Sequence, residues 1–303
     1  MKNFIKVLVI VGIILTLVGG TIFVISMSAN GWDFNSLSTR TVEEKTIDLE
    51  DGIDDVNSVK VIAATANVNL TYHDEQRITV ECYDVISKKG ELLREVTANV
   101  VGNELIIKDE SKNFQLFSLG FENAAITVKL PRGKVVSAVV EISTGSIKIG
   151  EKGEEINFGN LDLETSTGHI KMEANLSCNA VYLTTSTGAV YINGNLNATE
   201  IEVEGSTSDL VINGSIVAKE IEIDHSTGDV TCNAFITAEE IYVGTSTGDV
   251  ELKLLGSQND YSYTYDIGTG KSNIFPTFGG AKNVHVETGT GDVFIYFEVS
   301  PHL

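Results

Sequence analysis

LDLETSTGHIKMEANLSCNA (residues 161–180), VYLTTSTGAVYINGNLNATE (181–200), IEVEGSTSDLVINGSIVAKE (201–220), IEIDHSTGDVTCNAFITAEE (221–240) and IYVGTSTGDVELK (241–253) are successive copies of one 20-residue unit. The marker is a turn, Ser166-Thr167-Gly168, which returns at Ser186, Ser206, Ser226 and Ser246. Looser copies stand at Ser143-Thr144-Gly145, Gly268-Thr269-Gly270 and Gly289-Thr290-Gly291. A fixed period in this range is the signature of a solenoid or propeller, because one unit cannot bury its apolar face alone.

Reading down the period separates inside from outside. Leu161, Val181, Ile201, Ile221 and Ile241 form one apolar column, and Leu163, Leu183, Val203, Ile223 and Val243 form another two residues on. After the turn come Ile170, Val190, Leu210, Val230 and Val250, then Met172, Ile192, Ile212, Cys232 and Leu252. Leu176, Leu196, Ile216 and Ile236 make a fifth column. Spacing by two is strand alternation, and β-branched residues dominate. The sequence therefore predicts an all-β fold, a parallel β-solenoid with coils of about 20 residues stacked at about 4.8 Å. A β-propeller is disfavoured, since its blades need about 40 to 50 residues and four strands. Pro131, Pro276 and Pro301 are the only prolines, as a hydrogen-bonded ladder requires.

The turn glycine suits a positive φ, and Thr167, Thr187, Thr207, Thr227 and Thr247 would stack as a hydroxyl ladder. Ser208 breaks the glycine pattern, so Ser208→Gly is expected to stabilise the fold if that backbone is left-handed in every coil.

The rest of the chain is read outward from the repeat. Lys2 and Lys6 precede an uncharged apolar run over 7–27, which as a helix would be about 31 Å long and match a bilayer core. With the lysines before it and Asp33 after it, the N-terminus is expected in the cytoplasm and the bulk of the chain outside, anchored by a single pass. The rival reading is a signal peptide cleaved near Ser26-Met27-Ser28-Ala29, against which the run is long. The expected division is an N-terminal transmembrane anchor over 1–29, a linker over 30–45, an irregular β region over 46–140 that starts or caps the solenoid, and regular repeats over 141–300. Residues 81–104 look like an excursion out of the stack.

A net charge of −21, with no arginine after Arg132, excludes a nucleic-acid partner. Cys82, Cys178 and Cys232 are too few and too unevenly spaced for a disulfide framework or a zinc site; Cys178 and Cys232 read as buried small side chains.

Candidate chemistry is sparse. Asp209, Asp229 and Asp249 follow the turn in successive coils, where His169 and Ala189 stand earlier, and such a column could hold calcium. Calcium-binding repeats place an Asp in every turn of a glycine-rich nonapeptide, so a solvated acidic face is the plainer reading here. The column Glu200, Glu220 and Glu240 carries the same two readings. Gly268-Thr269-Gly270-Lys271-Ser272 lacks the leading glycine of a phosphate-binding loop, Tyr265 standing in its place. Paired carboxylates, Glu202 with Glu204 and Glu222 with Asp224, project outward with no arginine nearby. His73, His169, His225, His285 and His302 make no metal-ligand spacing and read as surface or partly buried polar residues. No catalytic residue and no cofactor are expected.

Ala125-Ile126-Thr127-Val128-Lys129-Leu130-Pro131, Ile142-Ser143-Thr144-Gly145-Ser146-Ile147-Lys148-Ile149 and the later Ser-Thr-Gly-Asp-Val turns resemble a bacterial family of candidate adhesins with a β-strand repeat domain of unknown function. The resemblance covers roughly residues 46–299, implies the fold, and brings no catalytic residues. The expected function is a non-enzymatic adhesion or interaction scaffold at the cell envelope, whose partner is an envelope protein or a cell-wall component. Two alternatives are an envelope-stress accessory that binds cationic peptides or a membrane partner, and a carbohydrate-active enzyme on the same scaffold.

Overall fold

Alternating apolar and polar residues put every second side chain inside, and the glycine turns bend each strand into the next, so the 20-residue units wind into coils. The computed structural model describes residues 40–49, 53–112 and 124–299, together with Thr16, residues 18–21, Val24, Ile25 and Ser28. The chain first forms β1 (Arg40–Leu49), β2 (Ser58–Thr65), β3 (Asn67–His73), β4 (Ile78–Ser87), β5 (Leu92–Val101), β6 (Glu104–Ser111) and β7 (Ala125–Pro131). The regular part begins with β8 (Val136–Thr144), β9 (Ile147–Ile149), β10 (Glu155–Thr167), β11 (Ile170–Met172), β12 (Asn175–Ser177), β13 (Ala180–Ile192) and β14 (Leu196–Asn197). It continues with β15 (Glu200–Ile212), β16 (Ile216–Val217), β17 (Glu220–Thr227), β18 (Val230–Cys232), β19 (Ile236–Thr237), β20 (Glu240–Thr247) and β21 (Val250–Leu255). The last strands are β22 (Tyr261–Thr269), β23 (Lys282–Thr290) and β24 (Val293–Glu298).

The coils have three sides. On the first, the stacking order is β6, β2, β8, β10, β13, β15, β17, β20, β23, β22, all parallel. On the second, β7, β3, β9 and β11 continue into the ends of β13 and β15, then β18, β21 and β24. The third joins the start of β10 to β12, β14, β16, β19 and Leu254 of β21. The expected columns are in register and closed: Leu161, Leu163, Ile170 and Met172 are fully buried, as are their counterparts one and two coils on.

Chain order and stacking order part company at both ends. β2 lies between β6 and β8, and β23 inserts between β20 and β22, so the last coil in space is not the last in sequence. The N-terminal end is closed by antiparallel strands: β4 pairs with β7, β1 and β5, and β5 with β6. This hairpin is the excursion expected at 81–104. Inside it Arg94 is ion-paired to the buried Asp109, to which Tyr83 also donates at 3.0 Å. Because β1 begins at Arg40, the last residues of the segment read as linker are strand.

Of the apolar run over 7–27, Thr16, residues 18–21, Val24 and Ile25 are described and helical, and the rest of the expected anchor lies outside the described residues. Among the described residues no helix is long and apolar enough to cross a membrane.

The turn glycines have φ of +148° at Gly168, +151° at Gly188, +141° at Gly228 and +156° at Gly248. A Cβ on any of them would overlap a backbone carbonyl of the coil below. Ser208 stands in register with Gly188 at this turn position. It is 3 % exposed and turns its hydroxyl into the interior beside Gly205, the coil's replacement for the buried Thr165 and Thr185. Its side chain fills space that Gly205 leaves empty. The outer threonines do stack, from Thr65 through Thr144 and Thr167 to Thr290 and Thr269. Among the described residues no hydrogen bond joins their hydroxyls. Instead the inner threonines bond the turn: Thr165 donates to the Gly145 carbonyl at 3.1 Å and Thr288 to that of Gly248 at 3.3 Å.

Candidate functional site

With the interior closed by apolar columns, chemistry is left to the outward positions of the first side. Residues alternating with the buried columns form three outward rows across the strands. Glu200, Glu220 and Glu240 face one another in register. Tyr182, Glu202, Glu222, Tyr242 and His285 form the second row, and Thr184, Glu204, Asp224, Gly244 and Glu287 the third. Parallel strands therefore hold like charges about 4.8 Å apart. Among the described residues none of Glu200, Glu202, Glu204, Glu220, Glu222, Asp224 and Glu240 has a lysine or arginine partner; the ion pairs gather instead near the N-terminal end. Partial burial, and then the charges of Glu204 and Glu222, push the Glu202 carboxyl above the usual range.

At the C-terminal end this face deepens into a groove of about 650 Å³. Glu220, Glu222 and Glu240 line it from the strands, together with Tyr242, His285 and Phe278. Tyr242 and His285 stack with ring centroids 5.7 Å apart. Both hold Glu287: Tyr242 Oη donates to Oε2 at 3.3 Å, and His285 Nε2 lies 2.9 Å from Oε1. The hydrogen bond with His285 holds the Glu287 carboxyl below its ordinary range. The far wall is the connection between β22 and β23. Thr277 pairs with Tyr263 on the outer edge of β22, and Asn273 both donates to the Ile295 carbonyl and accepts from its amide at 2.9 Å, covering the edge of β24. Ser262 Oγ donates to the Gly280 carbonyl and accepts from the Gly279 amide, both at 3.1 Å. So pinned, the connection leaves Phe275 84 % and Phe278 81 % exposed.

The acidic column after the turn has a structural occupation that its sequence did not announce. Asp209 Oδ1 accepts the Asp229 amide at 3.0 Å, Asp229 the Asp249 amide at 2.8 Å, and Asp249 the Asp292 amide at 2.7 Å. His169 does the same for Ala189 through Nδ1 at 3.0 Å. Each side chain caps the coil above it. A second ladder joins Glu173, Asn193, Asn213 and Asn233 at the next corner. Among the described residues no three His, Cys, Asp or Glu side chains converge as a metal site.

The remaining candidate residues form no single cluster among the described residues, and His302 lies outside them. Glu202 and Glu204 lie on β15 and Glu222 and Asp224 on β17, side by side along an open sheet face. Thr269 of the Gly-Thr-Gly-Lys-Ser run stacks on Thr290 at the end of a strand, with no helix beyond it. Cys232 is buried, whereas Cys178 is only partly so. Burial pushes the Cys178 and Cys82 thiols up to about 11, which keeps them protonated and poorly nucleophilic.

His225 was read as a surface or partly buried residue and is 1 % exposed. It occupies the inner column between Gly205 and Thr245, and among the described residues neither ring nitrogen has a hydrogen-bond partner. Ser208 Oγ and Thr245 Oγ1 beside it are equally unpartnered. Burial holds the imidazole pKa below its ordinary value, opposed more weakly by the Ser208 backbone and the Asp224 and Asp209 charges. The signal was available in the alternation: positions 221, 223 and 225 must share one side of β17.

A family model described as Toastrack DUF4097 matches residues 56–293. Solved structures similar to the chain include a candidate adhesin from Bacteroides fragilis, 18% identical, with 84% of this chain and 97% of that one covered and a TM-score of 0.49. A candidate adhesin from Parabacteroides merdae is 12% identical, with 84% and 96% covered and a TM-score of 0.43. A candidate lipid-binding protein from Parabacteroides distasonis is 14% identical, with 86% and 96% covered and a TM-score of 0.46. No curated protein matches the chain.

Proposed function

The chain belongs to the Toastrack DUF4097 family, and from that premise we propose that it is a non-enzymatic interaction scaffold held outside the cell membrane by its N-terminal segment. Its acidic first side would meet an envelope protein or a cell-wall component. The observation that carries this reading is the row of carboxylates from Glu200 to Asp224 and Glu240, which have no lysine or arginine partner among the described residues. Like charges on adjacent strands destabilise a sheet, so a surface of this kind is costly unless a partner uses it. The interior supports the non-enzymatic part, because apolar side chains fill it in column after column from Leu161 to Leu252. The apolar run over 7–27, with Lys2 and Lys6 before it, supports the anchor and its orientation.

The test is retention of isolated envelope material by the full chain in its membrane. Wild-type protein should retain cell-wall or membrane-protein fractions at low salt and release them at about 0.5 M salt. A variant with glutamine at Glu200, Glu202, Glu204, Glu220, Glu222 and Glu240 should retain none. Equal retention by the two would overturn the reading.

A further inference from the structure

The groove at the C-terminal end is more selective than the acidic face it belongs to. Glu220, Glu222 and Asp224 alternate along one face of β17, so their backbone positions repeat about every 6.6–6.8 Å. Same-side side chains of an extended peptide repeat at that distance. Glu240 widens the acidic wall on the next strand, the stacked Tyr242 and His285 offer aromatic surface, and Phe278 stands opposite almost wholly in solvent. Carboxylates with no lysine or arginine partner among the described residues on one wall, and an exposed phenyl ring on the other, complement a chain that is basic at alternate positions and apolar beside them.

We propose that this groove binds an extended peptide segment with Lys or Arg at alternate positions, seated on Glu220 and Glu222, and a neighbouring apolar side chain against Phe278. The proposal rests on the scaffold reading and names the partner class for its most structured patch. The pinning of Gly279 and Gly280 to Ser262 matters here, because it fixes the backbone beside Phe278 before a partner arrives. An anionic bilayer does not suit the site, since the same carboxylates would repel it.

The experiment is a titration of the full chain in detergent micelles with a labelled peptide of alternating Lys and Val that ends in Phe. A peptide with Glu in place of Lys serves as the control. The double variant Glu220→Gln/Glu222→Gln should weaken binding about tenfold or more, and Phe278→Ala about fivefold. Asp162→Asn/Glu164→Gln removes the same charge from the same side, farther down the stack, and should change binding less than about twofold. Equal weakening by the two double variants would mean diffuse attraction to the face; the groove assignment would fall while the scaffold reading stood. Absence of binding to wild-type protein, or loss of nothing in Phe278→Ala, would overturn the proposal, and envelope retention would judge the scaffold reading separately. Unfolding midpoints of all three variants near wild type establish that the surfaces compared are folded.

Discussion

Gly205 and Ser208 share one interior space: a Cβ added to Gly205 would overlap Ser208 Oγ, and the same Cβ would sit 3.1 Å from Cδ2 and Nε2 of His225. The coil below, and the coil two above, solve the same problem with a threonine and a glycine, Thr185 with Gly188 and Thr245 with Gly248. The two substitutions are therefore one compensated exchange. Gly205→Ala alone should cost about 2 kcal/mol by overpacking, and much less in a Ser208→Gly background. The coupling between them should be about 1–3 kcal/mol. Ser208→Gly alone should not raise the unfolding midpoint. Additive effects in the double-mutant cycle would show that the two side chains do not compete.

His225 gives the stack an acid-sensitive joint. Its folded pKa lies below the ordinary value of 6.5, so the unfolded chain takes up the proton first and stability falls as pH drops through 6.5 toward the folded pKa. His225→Thr restores the column's usual residue, whose hydroxyl can reach the Ser208 carbonyl as Thr185 reaches that of Gly168 at 3.4 Å. The variant should gain more stability at pH 5 than at pH 8 in denaturant titrations. A gain that is the same at both pH values would remove His225 from the account.

Asp229 is a capping residue in this structure. Asp229→Ala should lower stability by about 1 kcal/mol through loss of the acceptor for the Asp249 amide, and Asp229→Asn should retain most of it. Calcium addition and chelation should leave the thermal midpoint of wild-type protein unchanged. A rise in midpoint with calcium that Asp229→Asn abolishes would restore the metal reading of Asp209, Asp229 and Asp249.

Glu202 stands among carboxylates, with Glu222 on the next strand. Its folded pKa is raised, so the stability it contributes is present at low pH and lost as pH rises through that folded pKa. At neutral pH Glu202→Gln should stabilise by roughly 0.2–1 kcal/mol, and the gain should shrink in high salt. Loss of stability in this variant would mean that the row is held by contacts other than repelling charge.

Much of this was legible in the sequence because the period is constant: Leu161 predicts the place of Val181, and Thr167 that of Thr187. Order in space was less so. Gly268-Thr269-Gly270 and Gly289-Thr290-Gly291 could be read as turns, but a shared turn fixes a residue's height in the coil and not which coil lies next to which. The insertion of β23 between β20 and β22 depends on the path of the connection through Asn273 and Thr277. The Asp209 ladder was visible as a column, while its bonds to the next coil's amides depend on how closely the coils approach. The burial of His225 follows from its parity with Ile221 and Ile223 and not from its residue type, and the exchange of Gly205 with Ser208 depends on both positions facing the interior. The groove combines residues from four strands and a connection, which no single motif records.

The central claim, that function lies on the acidic first side, is tested most directly by a photo-crosslinking residue placed at single positions of the full chain in intact cells. Tyr242 lies on the acidic side at the groove, and Val217, half exposed, lies on the third side. A covalent adduct with an envelope component is expected from position 242 and none from position 217. Adducts from position 217 alone, or equally from both, would contradict that claim.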